Sequence, residues 1–588
     1  MIMKLIGTCL LTLAVMFLSF SGMAQDLPHI LTPAEKLQMP SYLMSRQGPV
    51  NLLSITPPAS PVRTIAEWEE LQGLLITWTT YIPMLRDIVA AAKHETRVYI
   101  ITNNPTSVFN TLAANGIDTV NVTCLNVPYN SVWIRDYGPW SAYTSDVDTL
   151  VTIDWIYNRP RPLDDAIPPI IAATLGTPLY QTTTAPWDLV HTGGNFMTDG
   201  FGTGFSSELI LNDNTLAAGF NVNHSASEID TIMSRFMGIN RYIKMNTLPF
   251  DQIHHIDMHM KLLDEETILM GEYPPGIADG PQIEANLLYV INNFNSVFGT
   301  PYKVIRMPMP PDNGAYPHNG GDYFTYTNSS FINKTLIYPT YGIPQDTTAL
   351  RIYKEALPGY NIVGINSTAS IGALGALHCI TKEVGTADPL LISHQPLHDT
   401  FDDVNPYTVS ARIQHRSGIQ TATLYYRTDT IQPYLSVPMT SISTTPNTWV
   451  AQIPAQTIGT EIYYYIHAAA ASGKNQVRPM PAPAGYWHFK VLGPTSVHSD
   501  ESSLPAMGSV FPNPSKGITC LPFETPESGN ATIFLSDVMG RRVITIHEGL
   551  TRAGNQHYFF NTALLPAGLY VLTVETQGRS QNQKLVVR

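Results

Sequence analysis

The stretch GLLITWTTYIPMLRDIVAAAKHETRVYIIT, residues 73–102, decides the fold class. GLLITWT (73–79) is a short apolar run with the pattern of a buried strand. In YIPMLRDIVAAAKH (81–94) the apolar positions recur at helical spacing, and TRVYIIT (96–102) reads as a strand again. Similar alternations return near 148–180, 205–245, 259–305 and 322–382, with hairpin-like turns at Asp264-Glu265-Glu266 and Asn333-Lys334. From about 65 to 390 the chain therefore reads as five β-rich units with about one helix each. Such repetition predicts pseudo-symmetric α/β modules arranged around an axis.

The 588-residue chain as a whole fits two to four domains, because single cores stop growing at roughly 250–300 residues. Apolar residues make up 44%, enough for packed cores, while charged residues at 13% fall below the roughly 25% of an average soluble chain. The polar surface relies instead on Thr, Asn and Ser, as expected of an extracellular protein. A formal charge of −13 argues against nucleic acid and anionic membrane as partners and is compatible with a cationic substrate.

Residues 1–24 carry Lys4, an apolar run and the small-residue site Ser21-Gly22-Met23-Ala24, and read as a cleaved signal peptide. The alternative, a membrane anchor, lacks length and a charged stop. Residues 25–64, rich in Pro and Ser, read as a leader wrapping onto the following domain. Beyond Cys9 the cysteines are Cys124, Cys379 and Cys520, so at least one is free in a monomer, which is the expected state.

After 390 the texture changes. Residues 391–492 hold short alternating strands such as ATLYYRT, TWVAQIP, EIYYYIHAAA and YWHFKVL without a helical stretch, which predicts an immunoglobulin-like sandwich lacking the antibody cysteine pair. A linker (493–508) and a second small all-β segment (509–588) follow. In that segment FPNPSKG (511–517), LSDVMGRRV (535–543), LPAGLYVLTV (565–574) and KLVVR (584–588) resemble the C-terminal sorting domain of type IX secretion. The resemblance implies the secretion machinery as a partner, cleavage of the tail, and release or anchoring at the outer-membrane surface.

The large domain (65–390) contains clusters that can carry chemistry: SVWIRDYGPW (131–140), HTGGNFMTDG (191–200), HHIDMHMKLL (254–263), TYTNSS (325–330) and GALHC (375–379). Apolar alternation in the third predicts a strand with His255, Asp257 and His259 on one face. That face suits a zinc site, a solvated polar face, or a general base with a carboxylate beside it. On a strand, Asp136 and Arg135 point oppositely, which disfavours a simple ion pair. A lone Cys379 also fits a small buried apolar side chain, and Gly193-Gly194-Asn195 fits a plain turn.

Taken in order, WIRDYGPW, GGNFMTDG, HIDMHMK, YTNSSFINKTLIYP and GALHCITKEVG resemble the Porphyromonas-type peptidylarginine deiminases and the related agmatine deiminases, over about residues 65–385. The resemblance implies a five-bladed pseudo-symmetric α/β propeller, the pentein fold. It implies Cys379 as nucleophile, His255 as general acid/base, Asp136 and Asp257 gripping a guanidinium, and Asn328 near the cysteine. Trp133, Gly194 and Ile253 are implied substrate-binding residues. His378 and His259 receive no role, and His259 stands where the family has an aromatic.

The chemistry explains these residue types. Two carboxylates orient a guanidinium through charge-assisted hydrogen bonds, a thiolate attacks its carbon, and an imidazole moves the protons. The scheme needs no metal or other cofactor. Arg159 and Arg161, in IYNRPRPLDD (156–165), are expected to form a fork for a substrate carboxylate, against the alternative of surface pairing with Asp164 and Asp165. The expected activity is deimination of peptidyl arginine, chiefly C-terminal, to citrulline by a monomer, on arginine-containing peptides or proteins. The alternatives are an agmatine or other small-guanidine deiminase, and a non-catalytic adhesin on a relict scaffold.

Overall fold

The structure, a computed structural model, describes residues 27–46, 54–274, 279–311, 323–493, 506–508, 510–526, 528–563, 565–576 and 579–588. The expected signal peptide lies outside the described residues, as does most of the linker. Among the described residues no helix is long and apolar enough to cross a membrane.

Residues 71–102 form strand Leu71–Thr77, helix Ile82–Ala92 and strand Arg97–Thr102. The strands pair in parallel, Gly73 opposite Arg97 through Thr77 opposite Ile101. Leu74, Leu75 and Ile76 are fully buried because the strand is central in its sheet, so its apolar run is continuous rather than alternating. The helix buries Met84, Leu85, Ile88, Val89 and Ala92, one stripe at helical spacing.

This arrangement occurs five times. In each of five sheets a strand pairs antiparallel with a second, which pairs in parallel with a third beyond a helix. The antiparallel pairs are Trp140–Thr144 with Leu150–Tyr157, Met197–Thr198 with Thr203–Ser207, Met260–Leu262 with Thr267–Glu272, and Ser330–Ile332 with Thr335–Thr340. The fifth is split across the chain: Lys382–Gly385 returns to pair antiparallel with Leu71–Thr77. Residues separated by about three hundred positions are thereby joined in one sheet, and the segment before Lys382 is brought beside the start of the domain.

The described part of the leader begins at Leu27. Helix Pro33–Ser45 begins at Thr32, whose hydroxyl accepts from the Glu35 N–H while the Glu35 carboxylate accepts from the Thr32 N–H, a capping box. Its Met39 and Tyr42 pack with Ile156, Val190, Phe220 and Val222.

Residues 391–490 form two antiparallel sheets, one of Leu391–His394, Tyr407–Gln414, Thr448–Ile453 and Thr440–Ser441, the other built on Ile419–Arg427 and Glu461–Ala470. Strict alternation of burial along Glu461–Ala470 reflects one face on the core and one toward solvent. The described residues between 506 and 588 are likewise all-β, in two further sheets. Cys124, Cys379 and Cys520 are all free thiols.

Candidate active site

The five chemical clusters occupy the same place in their units, the few residues just before the first strand of each antiparallel pair. Four are short helical turns: Ile134–Tyr137, Gly193–Asn195, Ile256–Met258 and His378–Ile380. Turn 134–137 touches both 193–195 and 378–380, and 193–195 touches 256–258. The fifth cluster supplies Asn328, two residues before strand Ser330–Ile332.

This corrects the strand readings of two clusters. His255, Asp257 and His259 do not share a strand face, since the strand starts only at Met260. Asp136 also lies in a turn rather than a strand, and Cys379 lies in another. A turn with about three residues per revolution lets neighbouring residues reach one site, which period-two geometry forbids.

Cys379 is fully buried. Asn328 holds its turn: Oδ1 accepts from the backbone N–H groups of Ala376 at 3.2 Å, His378 at 3.0 Å and Cys379 at 3.4 Å. The Asn328 amide nitrogen lies 3.3 Å from the Cys379 sulfur. Asp257 Oδ2 is 3.8 Å from that sulfur. Burial, together with the charges of Asp257 and Asp136, pushes the Cys379 thiol well above its ordinary range.

Asp257 is oriented by His378, whose Nδ1 is 2.6 Å from Asp257 Oδ2 and whose Nε2 is 2.8 Å from Glu67 Oε1. Lys261 donates to the other Glu67 oxygen at 2.6 Å. Asp257 Oδ1 is buried and unpartnered. His378 therefore has a clear task despite its missing role in the sequence reading, and Glu67 was not foreseen at all.

His255 is fully buried, with Nε2 3.3 Å from Thr192 Oγ1 and Nδ1 3.6 Å from Asp136 Oδ1. Burial, only partly opposed by Asp136, lowers its imidazole to about 4. Asp136 accepts from the Gly194 N–H at 3.2 Å. Burial would raise its carboxyl, but His29 and His255 outweigh that and hold it far below the usual range. Arg135 does not pair with Asp136: it forms a 2.7 Å ion pair with Glu383 and donates to the His378 carbonyl at 3.1 Å.

Gly194 lies among the three key side chains. A Cβ there would stand 2.5 Å from His255 Nδ1 and 3.2 Å from both Asp136 Oδ1 and Asp257 Oδ2. Trp133 is buried beside the turn and stacks on a ring from the leader, His29. Ile253 is buried in the core shared with Cys379, and its N–H is held by Asp251. His259 is buried with both ring nitrogens unpartnered.

Arg159 and Arg161 are buried, which overturns the surface-pairing alternative. Asp164 instead caps the Asn130 and Ser131 N–H groups, and Asp165 accepts from the Tyr157 N–H and the Tyr42 hydroxyl. The arginines hold leader carbonyls: Arg159 donates twice to His29 O, at 3.1 and 2.9 Å, and Arg161 once to Pro28 O at 2.7 Å.

His29 completes the cluster. Its Nε2 lies 2.6 Å from Asp136 Oδ2, its Nδ1 donates to Leu374 O at 2.8 Å, and its ring meets His255 edge-on at 5.0 Å. His29, Asp136 and His255 bring three ligand-type atoms within 4.8 Å of one another. At 2.6 Å the first pair is nevertheless a direct hydrogen bond, since ligands about 2.0–2.2 Å from a tetrahedral ion stand well over 3 Å apart.

A buried thiol, an imidazole and two carboxylates thus surround a space that admits only glycine. Residues 63–384, more than half of the chain, match the model of the Porphyromonas-type peptidyl-arginine deiminases, and the chain belongs to that family. It is a hydrolase that deiminates a guanidino group, in a family of peptidyl-arginine and agmatine deiminases. A candidate agmatine deiminase of Lactococcus lactis is 24% identical over 290 residues, 45% of this chain and 77% of its own length. A second, of Vibrio parahaemolyticus, is 23% identical over 370 residues, covering 56% of this chain and 99% of its own. The solved structure of a candidate arginine deiminase from Porphyromonas gingivalis shares the fold, with a TM-score of 0.50 at 20% identity over 55% of this chain and 99% of that one. Residues 509–588 match the secretion system C-terminal sorting domain, which points to secretion to the cell surface or beyond.

Proposed function

We propose that this chain converts arginine at exposed, chiefly C-terminal, positions of peptides and proteins to citrulline, releasing ammonia. The observation that carries this reading is the buried pair Arg159 and Arg161, whose guanidinium groups hold peptide carbonyl oxygens beside Asp136. A small diamine-like guanidine has no carbonyl or carboxylate for such groups. The five sheets are read as blades of a pseudo-symmetric propeller, and residues 391–492 as an immunoglobulin-like module. Export through the type IX machinery, after removal of the signal peptide, takes the enzyme to protein substrates outside the cell.

In this mechanism Asp136 and the open oxygen of Asp257 grip the guanidinium and keep it cationic. With the thiol pushed up and His255 lowered to about 4, the free enzyme holds both groups neutral. The bound cation offsets the two carboxylates at the sulfur, and the Cys379 proton passes to His255. The sulfur bonds to the guanidinium carbon, a C–N bond breaks, and ammonia leaves with the proton from His255. His255 then takes one proton from water, whose oxygen bonds to the carbon; as the C–S bond breaks, the second water proton passes to the sulfur and His255 gives its own to solvent. A neutral ureido group remains, held weakly by the carboxylates. No step calls on a metal.

The second reading, an agmatine deiminase, is favoured by the names of the Lactococcus and Vibrio relatives. Ureido formation from arginine-ending peptides, the same peptides amidated at the C-terminus, and agmatine separates the two. The expected order is free-ended peptide, amidated peptide, then agmatine, with Cys379→Ala inactive on all. Preference for agmatine would sink the first reading, full activity of Cys379→Ala would sink the cysteine mechanism in both, and no ureido formation by the wild type from any of the three substrates would favour a non-catalytic adhesin.

A further inference from the structure

The leader segment meets the outer groups of the pocket, Asp136, Trp133, Arg159 and Arg161. His29 is fully buried. Its Nδ1 faces a carbonyl and its Nε2 the Asp136 carboxylate, so both ring nitrogens act as donors, as they do in an imidazolium. The planar ring lies parallel to Trp133, with ring centroids 4.2 Å apart and planes 6° from parallel. The Trp133 indole N–H donates to Leu27 O at 2.9 Å. Arg159 and Arg161 take the carbonyls of His29 and Pro28, and Arg161 also pairs with Glu35 at 2.6 Å.

The match stops short of the reacting centre. Asp257 Oδ1 and His255 Nδ1 make no hydrogen bond, the latter having only the 3.6 Å approach of Asp136 Oδ1. Imidazole has neither the reach of a guanidinium nor an amine that can leave from its ring carbon, so it can occupy the entrance without being turned over. The segment is held in place from behind by helix Pro33–Ser45, through its capping box and the Tyr42 bond to Asp165 at 2.9 Å.

We infer that Leu27–Ser45 is an internal pseudosubstrate, a latch that fills the enzyme's own peptide-binding groove with His29 in the place of the target arginine side chain. This rests on reading the pocket as a guanidinium site. A tethered segment competes at the high effective concentration set by its short connection, so the open fraction of molecules scales the apparent substrate affinity. A latch of this kind raises KM and leaves kcat alone. Displacement of the leader, by a protein surface or by proteolysis, would then switch the secreted enzyme on.

The test uses the full chain as wild type, His29→Ala and Glu35→Gln, the last weakening the latch away from the nucleophile. Two quantities are measured: the rate at which iodoacetamide alkylates Cys379, located by mass spectrometry, and KM and kcat for an arginine-ending peptide. Alkylation is expected to rise at least tenfold in both variants, with KM falling by a similar factor and kcat within about twofold. A synthetic peptide spanning residues 27–46 should slow alkylation of His29→Ala again. Unchanged or slower alkylation in both variants, or a fall in kcat/KM, overturns the latch and makes the segment a permanent part of the site. Faster alkylation without turnover of any arginine peptide upholds the latch and overturns the substrate reading alone.

Discussion

At the scale of single residues, Gly194 and His259 make opposite points about space. A methyl group at Gly194 would collide with His255 Nδ1 at 2.5 Å and crowd both carboxylates. Gly194→Ala is therefore expected to lower kcat/KM by about a hundredfold, the scale of a misplaced reacting group, with a melting temperature near that of the wild type. Steady-state kinetics beside a thermal melt checks this. His259 is buried without a partner for either ring nitrogen, and burial, only partly opposed by Asp257, lowers it to about 4. Its folded value lies below the unfolded one near 6.5, so the stability it supports is present above that pH and is lost as pH falls toward 4, by about 3 kcal/mol at most. His259→Phe keeps the volume and removes the buried imidazole. Urea unfolding at pH 8 and pH 5 should find the variant at least as stable as wild type, with the gap widening at pH 5.

At the scale of elements, the short turns carry the site, and buried ion pairs hold them together. Arg135, in turn 134–137, pairs with Glu383, in the strand that follows Cys379, and supports the His378 carbonyl with its Nε. Burial would raise the Glu383 carboxyl, but Arg135 and Lys382 draw it down to about 2. Glu383→Gln leaves the Arg135 charge buried without its counter-ion, which costs roughly 3–5 kcal/mol. Denaturant unfolding should register that loss, and activity should fall with it, because the same guanidinium holds the turn of the nucleophile. Such turns were hard to read in advance. In HIDMHMK and ALHCITK the polar-apolar alternation is too short to separate a strand from one helical turn, and Asn328 holds the second turn from fifty residues away.

For the whole molecule, the two-sheet module after residue 390 is tied to the catalytic part beside a residue of the site. Arg478 donates to the Trp68 carbonyl at 2.6 Å, and Lys474 pairs with Glu70 at 2.6 Å. Trp68 follows Glu67, which anchors His378 and Lys261. Arg478→Ala leaves a buried carbonyl unpaired, at about 1–3 kcal/mol. Calorimetry should show the transition of the catalytic part moved down by a few degrees and separated from that of the β-sheet module. A single unshifted transition would mean that the contact carries no coupling.

The amino-acid sequence by itself determined the repeating strand–helix–strand pattern and the all-β texture after residue 390, because periodicity of apolar residues is local information. It also contained the ordered motifs around Asp136, Gly194, His255, Asn328 and Cys379, which mark the family. The tertiary structure alone decided which side chains meet. Asp136 lies 107 residues from His29, and His378 lies 311 from Glu67. No local pattern encodes such pairs, since they arise only when the closing strand and the leader fold back onto the first sheets. The arginines near residue 160 read in the sequence as a fork for a carboxylate, whereas their burial and their partners, the carbonyls of the chain's own leader, emerge only from the packing.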